Sequence, residues 1–162
     1  MRRCVLWGRA RERRAHDEGQ RGAAAVEFAL ILPILMILIF GIISYGMMLS
    51  FRQAISQAAA EGARAAAVAQ RDADQVPNAR AAVNEALEGY GVTCSGSSLT
   101  RDGVTVGSCA VTIATCDGEP ATVKCASVRI TYDYADHPLL GVPMMGMVLP
   151  DELEYTAVAR VS

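Results

Sequence analysis

Phe28-Ala29-Leu30-Ile31-Leu32-Pro33-Ile34-Leu35-Met36-Ile37-Leu38-Ile39-Phe40-Gly41-Ile42-Ile43-Ser44-Tyr45-Gly46-Met47-Met48-Leu49-Ser50-Phe51 is a run of 24 residues without a charge. As a helix it extends about 36 Å, at roughly 1.5 Å per residue. The hydrocarbon core of a bilayer is about 30 Å thick, so the run can cross it with some tilt. A core helix of a soluble protein is rarely apolar on every face over such a length. A cleaved secretory signal is the other alternative. Its apolar region is normally about 7–15 residues long, although an Ala-x-Ala stretch does follow at Ala58–Ala60.

The flanks orient the span. Residues 1–22 carry seven arginines against Glu12, Asp17 and Glu18, a net of +4, and residues 52–162 carry eight basic and thirteen acidic side chains, a net of −5. The positive-inside rule places the N-terminus in the cytoplasm and the chain after Phe51 outside, making this a single-pass protein of the cytoplasmic membrane with lipid as a partner. The basic residues lack interleaved aromatics, which argues against nucleic-acid binding. Residues 1–22 read as a basic, disordered cytoplasmic leader, 23–70 as a long helix containing the span 28–51, and 71–162 as an exported domain.

Cysteine usage agrees with that topology. Cys4 stands alone in the leader, whereas Cys94, Cys109, Cys116 and Cys125 lie on the exported side, an even number where disulfides are permitted. Four cysteines allow three connectivities; Cys94–Cys109 with Cys116–Cys125 is preferred because both loops are local. A zinc site is the rival use of these thiols, but no paired CxxC spacing is present and His137 is the only histidine beyond the span. No metal or other cofactor is expected.

Pro33 interrupts the span and is expected to kink the helix, because it lacks the donor for an interior hydrogen bond. After the span, eight of the twelve residues 58–69 are alanine. Small residues recur four apart at Ala58, Gly62 and Ala66, so the stretch reads either as a helix-packing face toward other subunits or as a face packed on its own domain. A second helix is expected over Pro77–Glu88, with Val76, Ala79, Val83, Ala86, Leu87 and Tyr90 as its apolar stripe and Pro77 in its first turn. The period then changes to two. Ala126, Val128, Ile130, Tyr132 and Tyr134 form one strand stripe; Leu153, Tyr155, Ala157, Ala159 and Val161 form another, broken by Val158. Val111 and Ile113 mark a further strand, and Asp117-Gly118-Glu119-Pro120 a turn. Leu139–Pro150, with Met144, Met145 and Met147, reads as an apolar loop either tucked under the sheet or touching a partner. The fold class is therefore α+β: a long N-terminal transmembrane helix continuing into a small exported domain, with a second helix packed on an antiparallel sheet. So small a core makes two disulfides physically sensible.

Arg21-Gly22-Ala23-Ala24-Ala25-Val26-Glu27-Phe28-Ala29-Leu30-Ile31-Leu32-Pro33 resembles the start of the TadE-like family, pilin-like subunits of tight-adherence (Flp-type) pilus systems. Glu61-Gly62-Ala63-Arg64 is similar to the family's usual helix ending, and Val128–Tyr132 and Tyr155–Ala157 to its strand pattern. The resemblance implies processing by a prepilin peptidase. The cut would follow Gly22, Ala23 would become the N-terminus, and Glu27-Phe28 would occupy the fifth and sixth positions. It also implies that the Glu27 carboxylate pairs with a new terminal ammonium; the plainer reading is a carboxylate resting in the headgroup layer. Other pilus-system subunits are the implied partners. The resulting expectation is a minor pilin-like (pseudopilin) component acting by helix packing. The alternative is a membrane-anchored extracytoplasmic binding module, a sensor or adhesin outside any filament. No paired carboxylates, Cys/His pair, Ser/His/Asp set, phosphate loop or HExxH motif stands out, and Asp133 and Asp136 near His137 read as solvated, so neither catalysis nor a small-molecule substrate is expected.

The cysteine reading predicts faster migration on non-reducing than on reducing gels, with no alkylation of the four outer thiols before reduction. Identical mobility and four reactive thiols would contradict it.

Overall fold

A computed structural model describes the backbone of residues 8–141 and 149–161, and side chains from Gly22 onward within those ranges. Helix α1 spans Gly8–Ala67 and α2 spans Asp72–Leu87; a short 3₁₀ turn, Glu88–Tyr90, leads into five strands, β1 Val92–Ser95, β2 Ser98–Arg101, β3 Val104–Thr115, β4 Lys124–Asp133 and β5 Glu152–Val161. All neighbouring strands are antiparallel and the spatial order is β1-β2-β3-β4-β5, a simple meander. The architecture is the expected α+β one. The chain divides into two compact units, Met1–Ile43 and Ser44–Ser162, so the last six turns of α1 belong to the sheet-bearing unit.

Helical structure reaches further toward the N-terminus than the disordered-leader reading allowed. From Gly8 to Arg21 the sequence is rich in Arg, joined by Ala10, Ala15, Glu12, Glu18 and Gln20. These are good helix formers, and extending an existing helix avoids the cost of nucleation. Residues 1–7 lie outside the described chain. At the other end α1 stops at Ala67, before the expected Gln70, because the chain must reverse into α2; Val68 and Ala69 N–H still donate to the Arg64 and Ala66 carbonyls.

Helix α2 begins five residues earlier than expected. Its first turn carries Asp72 and Asp74, favourable at the positive end of the helix dipole. Pro77 consequently sits in the second turn, where it deprives the Ala73 carbonyl of its usual donor. The buried stripe is Gln75, Ala79, Val83 and Leu87, at spacing four throughout, with Val76 only half-buried. Gly91 closes the following turn in the left-handed conformation at φ 65°.

The core of the second unit joins three sources. Helix α1 contributes Met48, Phe51, Ile55, Ala58, Ala59, Ala63 and Ala66; α2 contributes Ala79, Val83 and Leu87; the sheet contributes Val92, Leu99, Val106, Val128, Ile130 and Tyr132 among others. On β4 the alternation is strict, with Ala126, Val128, Ile130 and Tyr132 buried. Leu139 and Leu149, at either end of the apolar loop, pack against this core; Met144, Met145 and Met147 lie outside the described residues.

Strands β1 and β2 were not foreseen. Between β2 and β3 stands Asp102-Gly103, with φ 53° and 80°, the two-residue turn that a tight hairpin requires. The register shifts between Leu99 and Thr100, which pair with Gly107 and Thr105. The extra residue, Val106, is a bulge that changes which parity of β3 faces the core, from Val106 to Cys109. Gly107 sits at the bulge with φ 155°, where an added Cβ would lie 2.0 Å from the Thr131 carbonyl oxygen.

Disulfides join Cys94 to Cys109 and Cys116 to Cys125. The first is buried and stitches β1 to β3 on the core face; the second is half-buried and closes the β3–β4 turn. A closed loop of 15 residues stabilises by about 3 kcal/mol in the chain-entropy view.

Gly107→Ala should destabilise the chain by more than about 2 kcal/mol, because backbone must move to admit the methyl group. Gly96→Ala, also at positive φ but facing open space, should cost about 1 kcal/mol. Urea unfolding monitored by circular dichroism compares them; equal losses would contradict the clash.

Candidate functional site: an exposed apolar helix and an aromatic junction

Gly22–Ala67 is long and apolar enough to cross a membrane, and its most apolar window is not buried in the protein. From Val26 to Ile43, fourteen large apolar side chains are exposed, Leu30 and Ile34 by about 70%. Transfer out of water at roughly 1.5–3 kcal/mol for each fully exposed side chain makes covering this surface worth on the order of 20 kcal/mol. Nothing comparable is exposed among the described residues of the second unit, and a solvent-bathed monomer would not keep such a patch. The helix is therefore a candidate membrane-spanning segment.

The structure moves the outer limit of that segment. The sequence run ends at Phe51, yet Ser44 and Met48 are buried and Phe51 is fully buried in the sheet-bearing unit. The wholly exposed stretch is instead Gly22–Phe40 and its continuation to Ile43. Twenty-two helical residues from Gly22 to Ile43 still extend about 33 Å, enough for the hydrocarbon core.

The residues at the head of this segment lie in regular helix. Gly22 has open space where a Cβ would be. Glu27 and Phe28 are exposed, Phe28 by 61%. Ala23 and Glu27, four apart, share one helix face. Among the described side chains no salt bridge is made to Glu27. Pro33 lies inside α1 without ending it, leaving the Ala29 carbonyl without the donor that another residue at position 33 would supply.

Ala58, Gly62 and Ala66 face inward. Ala58 and Ala66 are fully buried, and a Cβ on Gly62 would meet Val83 Cγ2 at 2.8 Å, the Ala79 carbonyl at 3.2 Å and Val128 Cγ2 at 3.5 Å. Of the two readings of the small-residue face, the subunit-packing one gives way to close packing on the chain's own α2 and β4. The alanine-rich face is small because two elements press on it at once.

An aromatic junction that sequence reading did not assemble holds α1 to the sheet. Phe51 contacts Tyr132 edge to face, with centroids 4.7 Å apart, and Tyr90 at 4.9 Å. Tyr134 lies 6.1 Å from Tyr132. Ser50 Oγ and the Tyr90 hydroxyl are hydrogen-bonded at 2.8 Å. Arg101 Nη1 donates to the Tyr132 hydroxyl at 2.6 Å, and that hydroxyl donates to the His137 carbonyl at 2.8 Å. Arg101 also lies 5.9 Å from the Tyr132 ring centroid. Burial raises the Tyr132 phenol above its ordinary pKa, with Arg101 opposing the shift; burial likewise raises Tyr134. Tyr132 thus stays protonated and ties β2, β4 and the start of the apolar loop together. The strand alternation located both tyrosines, but nothing local identifies Arg101 as their partner, 31 residues away.

Among the described residues no cluster of metal-ligating side chains occurs. His137 contributes backbone groups, its N–H to the Asp133 carbonyl and its carbonyl to Tyr132.

Residues 22–64 match the family model for TadE-like protein. The match starts at the sequence-predicted scissile glycine, crosses the exposed apolar segment and ends in the small-residue face. It is a likeness to that family over 43 of the chain's 162 residues, within helix α1. No curated protein and no solved structure matches the chain.

Tyr132→Phe removes the hydroxyl linking Arg101 to the His137 carbonyl and should cost about 1–3 kcal/mol. Both tyrosines have folded-state pKa values raised above those of the unfolded chain. Their contribution is therefore fully present below about pH 10 and falls as pH rises through the folded values. Urea titrations on either side of that pH should show stability dropping in the wild type and a shallower drop in Tyr132→Phe; parallel curves would contradict the assignment.

Proposed function

We propose that this chain, with its TadE-like segment 22–64, is a structural pilin-like (pseudopilin) component of Tad/Flp pilus assembly. The carrying observation is the exposed apolar helix headed by Gly22-Ala23 and Glu27-Phe28 and followed by a separately packed, disulfide-bonded α+β unit. Residues 22–43 lie in the cytoplasmic membrane, the arginine-rich leader faces the cytoplasm, and the unit from Ser44 onward is exported, where its disulfides form. The chain acts by association and not by catalysis. Other pilus-system subunits and membrane lipid are its partners.

A prepilin peptidase cleaves between Gly22 and Ala23. The new ammonium at Ala23 and the Glu27 carboxylate are then one helical turn apart, close enough to offset each other's desolvation at the membrane boundary or to exchange partners between neighbouring subunits. A carboxylate at this depth is costly when unpaired. Pro33, which lacks a donor for the Ala29 carbonyl, gives the helix a place to bend where it meets its neighbours.

Intact-mass measurement and N-terminal sequencing of the membrane-extracted chain, with and without the host's prepilin peptidase, test this reading. A mature N-terminus at Ala23 that requires the peptidase is expected, and Glu27→Ala should leave the cut in place while lowering incorporation into pili at least tenfold. A chain that begins at Met1 in both hosts would favour a membrane-anchored binding module instead.

A further inference from the structure

All-round exposure of α1 ends near Ile43, but its apolar surface does not. In the next turns Ser44, Met48 and Phe51 are buried in the sheet-bearing unit, whereas Tyr45, Met47 and Leu49 remain 48%, 38% and 39% exposed. Residues 44, 48 and 51 recur at helical spacing and share one face, and the exposed three fall outside it. The character of the exposed side changes at one place. Up to Leu49 its large side chains are apolar; the next exposed ones are Ser50, Arg52, Gln53 and Gln57. Arg52 is the first charge after Glu27.

Helix length decides what this half-covered stretch meets. With the Glu27 carboxylate at the cytoplasmic headgroup level, where a charge is tolerated, the hydrocarbon segment starts at Phe28. Phe28–Ile43 is sixteen residues, about 24 Å of helix, and falls short of a hydrocarbon core of about 30 Å. About twenty residues fill that core, and counted from Phe28 they end at Met47. Sliding the span toward the N-terminus would draw Glu27 into hydrocarbon. Helix α1 continues unbroken to Ala67 and supplies the missing turn.

We propose that the first turns of the sheet-bearing unit, Ser44–Phe51, are a docking surface for the outer lipid leaflet, with Tyr45, Met47 and Leu49 facing lipid and the opposite face held by protein. This rests on the membrane reading above. Continuity favours lipid over a protein partner: the exposed apolar side chains of Val26–Ile43 run into this surface on the same helix, with no charge between Glu27 and Arg52. Tyr45 then lies at the interface, its ring in lipid and its hydroxyl toward the headgroups. Tyr90 contacts Phe51 at 4.9 Å and shares a 2.8 Å hydrogen bond with Ser50 Oγ, which sets its ring at the level of the polarity change. An aromatic body with a polar tip is favoured in that layer. The unit is thus seated in the bilayer surface through the turns that the aromatic junction grips.

The test uses the full chain in a Cys4→Ser background, with the outer disulfides intact. Leu35→Cys, Met47→Cys, Leu49→Cys, Gln53→Cys and Gln57→Cys, all at exposed positions, are labelled singly with a fluorophore and reconstituted into phosphatidylcholine–phosphatidylglycerol vesicles. Quenching is read with lipids carrying a nitroxide at a shallow or a deep acyl position, and separately with iodide on both faces of the vesicles. Labels at 47 and 49 should be quenched by the shallow nitroxide at least threefold more than those at 53 and 57, and by iodide at least threefold less. Labels at 47 and 49 as open to iodide as those at 53 and 57 overturn the proposal. So does protection of 47 and 49 from both quenchers, which would make another protein the occupant. The label at 35 separates the two readings. If deep nitroxide quenches it while iodide reaches 47 and 49, only the docking surface fails; if lipid quenches no position, the membrane reading fails with it.

Discussion

The close approach of α1 to α2 and β4 at Gly62 governs the sheet-bearing unit. The glycine admits Val83 and the Ala79 carbonyl from one side and Val128 from the other. A side chain there would have to displace packed groups of both a helix and a strand, and interiors tolerate such overpacking poorly. Ala58, Ala59, Ala63 and Ala66 extend the same close contact along the helix. The position of α1 fixes where Phe51 falls, and Phe51 is the centre of the aromatic junction with Tyr90, Tyr132 and Tyr134. One helix thus carries two kinds of surface. Its segment from Gly22 to Ile43 is exposed and apolar, and its later part is amphipathic, with a small-residue face packed in the protein and Glu61 and Arg64 on the exposed side.

The sheet supplies what the helix alone lacks. A long helix with a small-residue stripe could dock on many surfaces. The bulge at Val106 and Gly107 turns Cys109 onto the core face, where its disulfide to Cys94 ties the short β1–β2 hairpin to the longer β3. The second disulfide holds the β3–β4 turn, in which the Glu119 N–H donates to the Cys116 carbonyl and the Val123 N–H to the Pro120 carbonyl. These covalent ties suit a unit with a core this small. They also distribute rigidity toward β1–β4, whereas β5 is held by one ladder and the partly buried row facing α1.

The exposed ion pairs add little to this account. Arg129 with Glu154 and Arg71 with Asp74 are short, at 3.2 Å and 2.7 Å, but solvent screens them. The buried polar contacts matter more. Tyr132 satisfies its hydroxyl through Arg101 and the His137 carbonyl, and Asn84 answers both backbone groups of Cys94. Each joins segments distant in sequence and gives a unique docking where apolar packing alone would tolerate several.

What was legible in the sequence was whatever a local period or composition determines. The uncharged run from Phe28, the alternation of β4 and the even set of four cysteines after Phe51 each express a local rule: helix pitch, strand pleat or thiol chemistry. The lengths and partners of elements were decided elsewhere. Helix α2 takes Gln75 into its buried stripe, where its amide donates to Asp72 Oδ1, and Pro77 falls in the second turn. Ala58, Gly62 and Ala66 carry the same small-residue spacing whether they face a neighbour or their own sheet; only the tertiary structure could choose, because steric complementarity belongs to the pair of surfaces and not to one strip of residues. The same holds for Phe51, apolar enough to close a membrane span by composition, yet placed in the protein core because three tyrosines from Tyr90, β4 and the residue after it converge on the position its helix turn reaches.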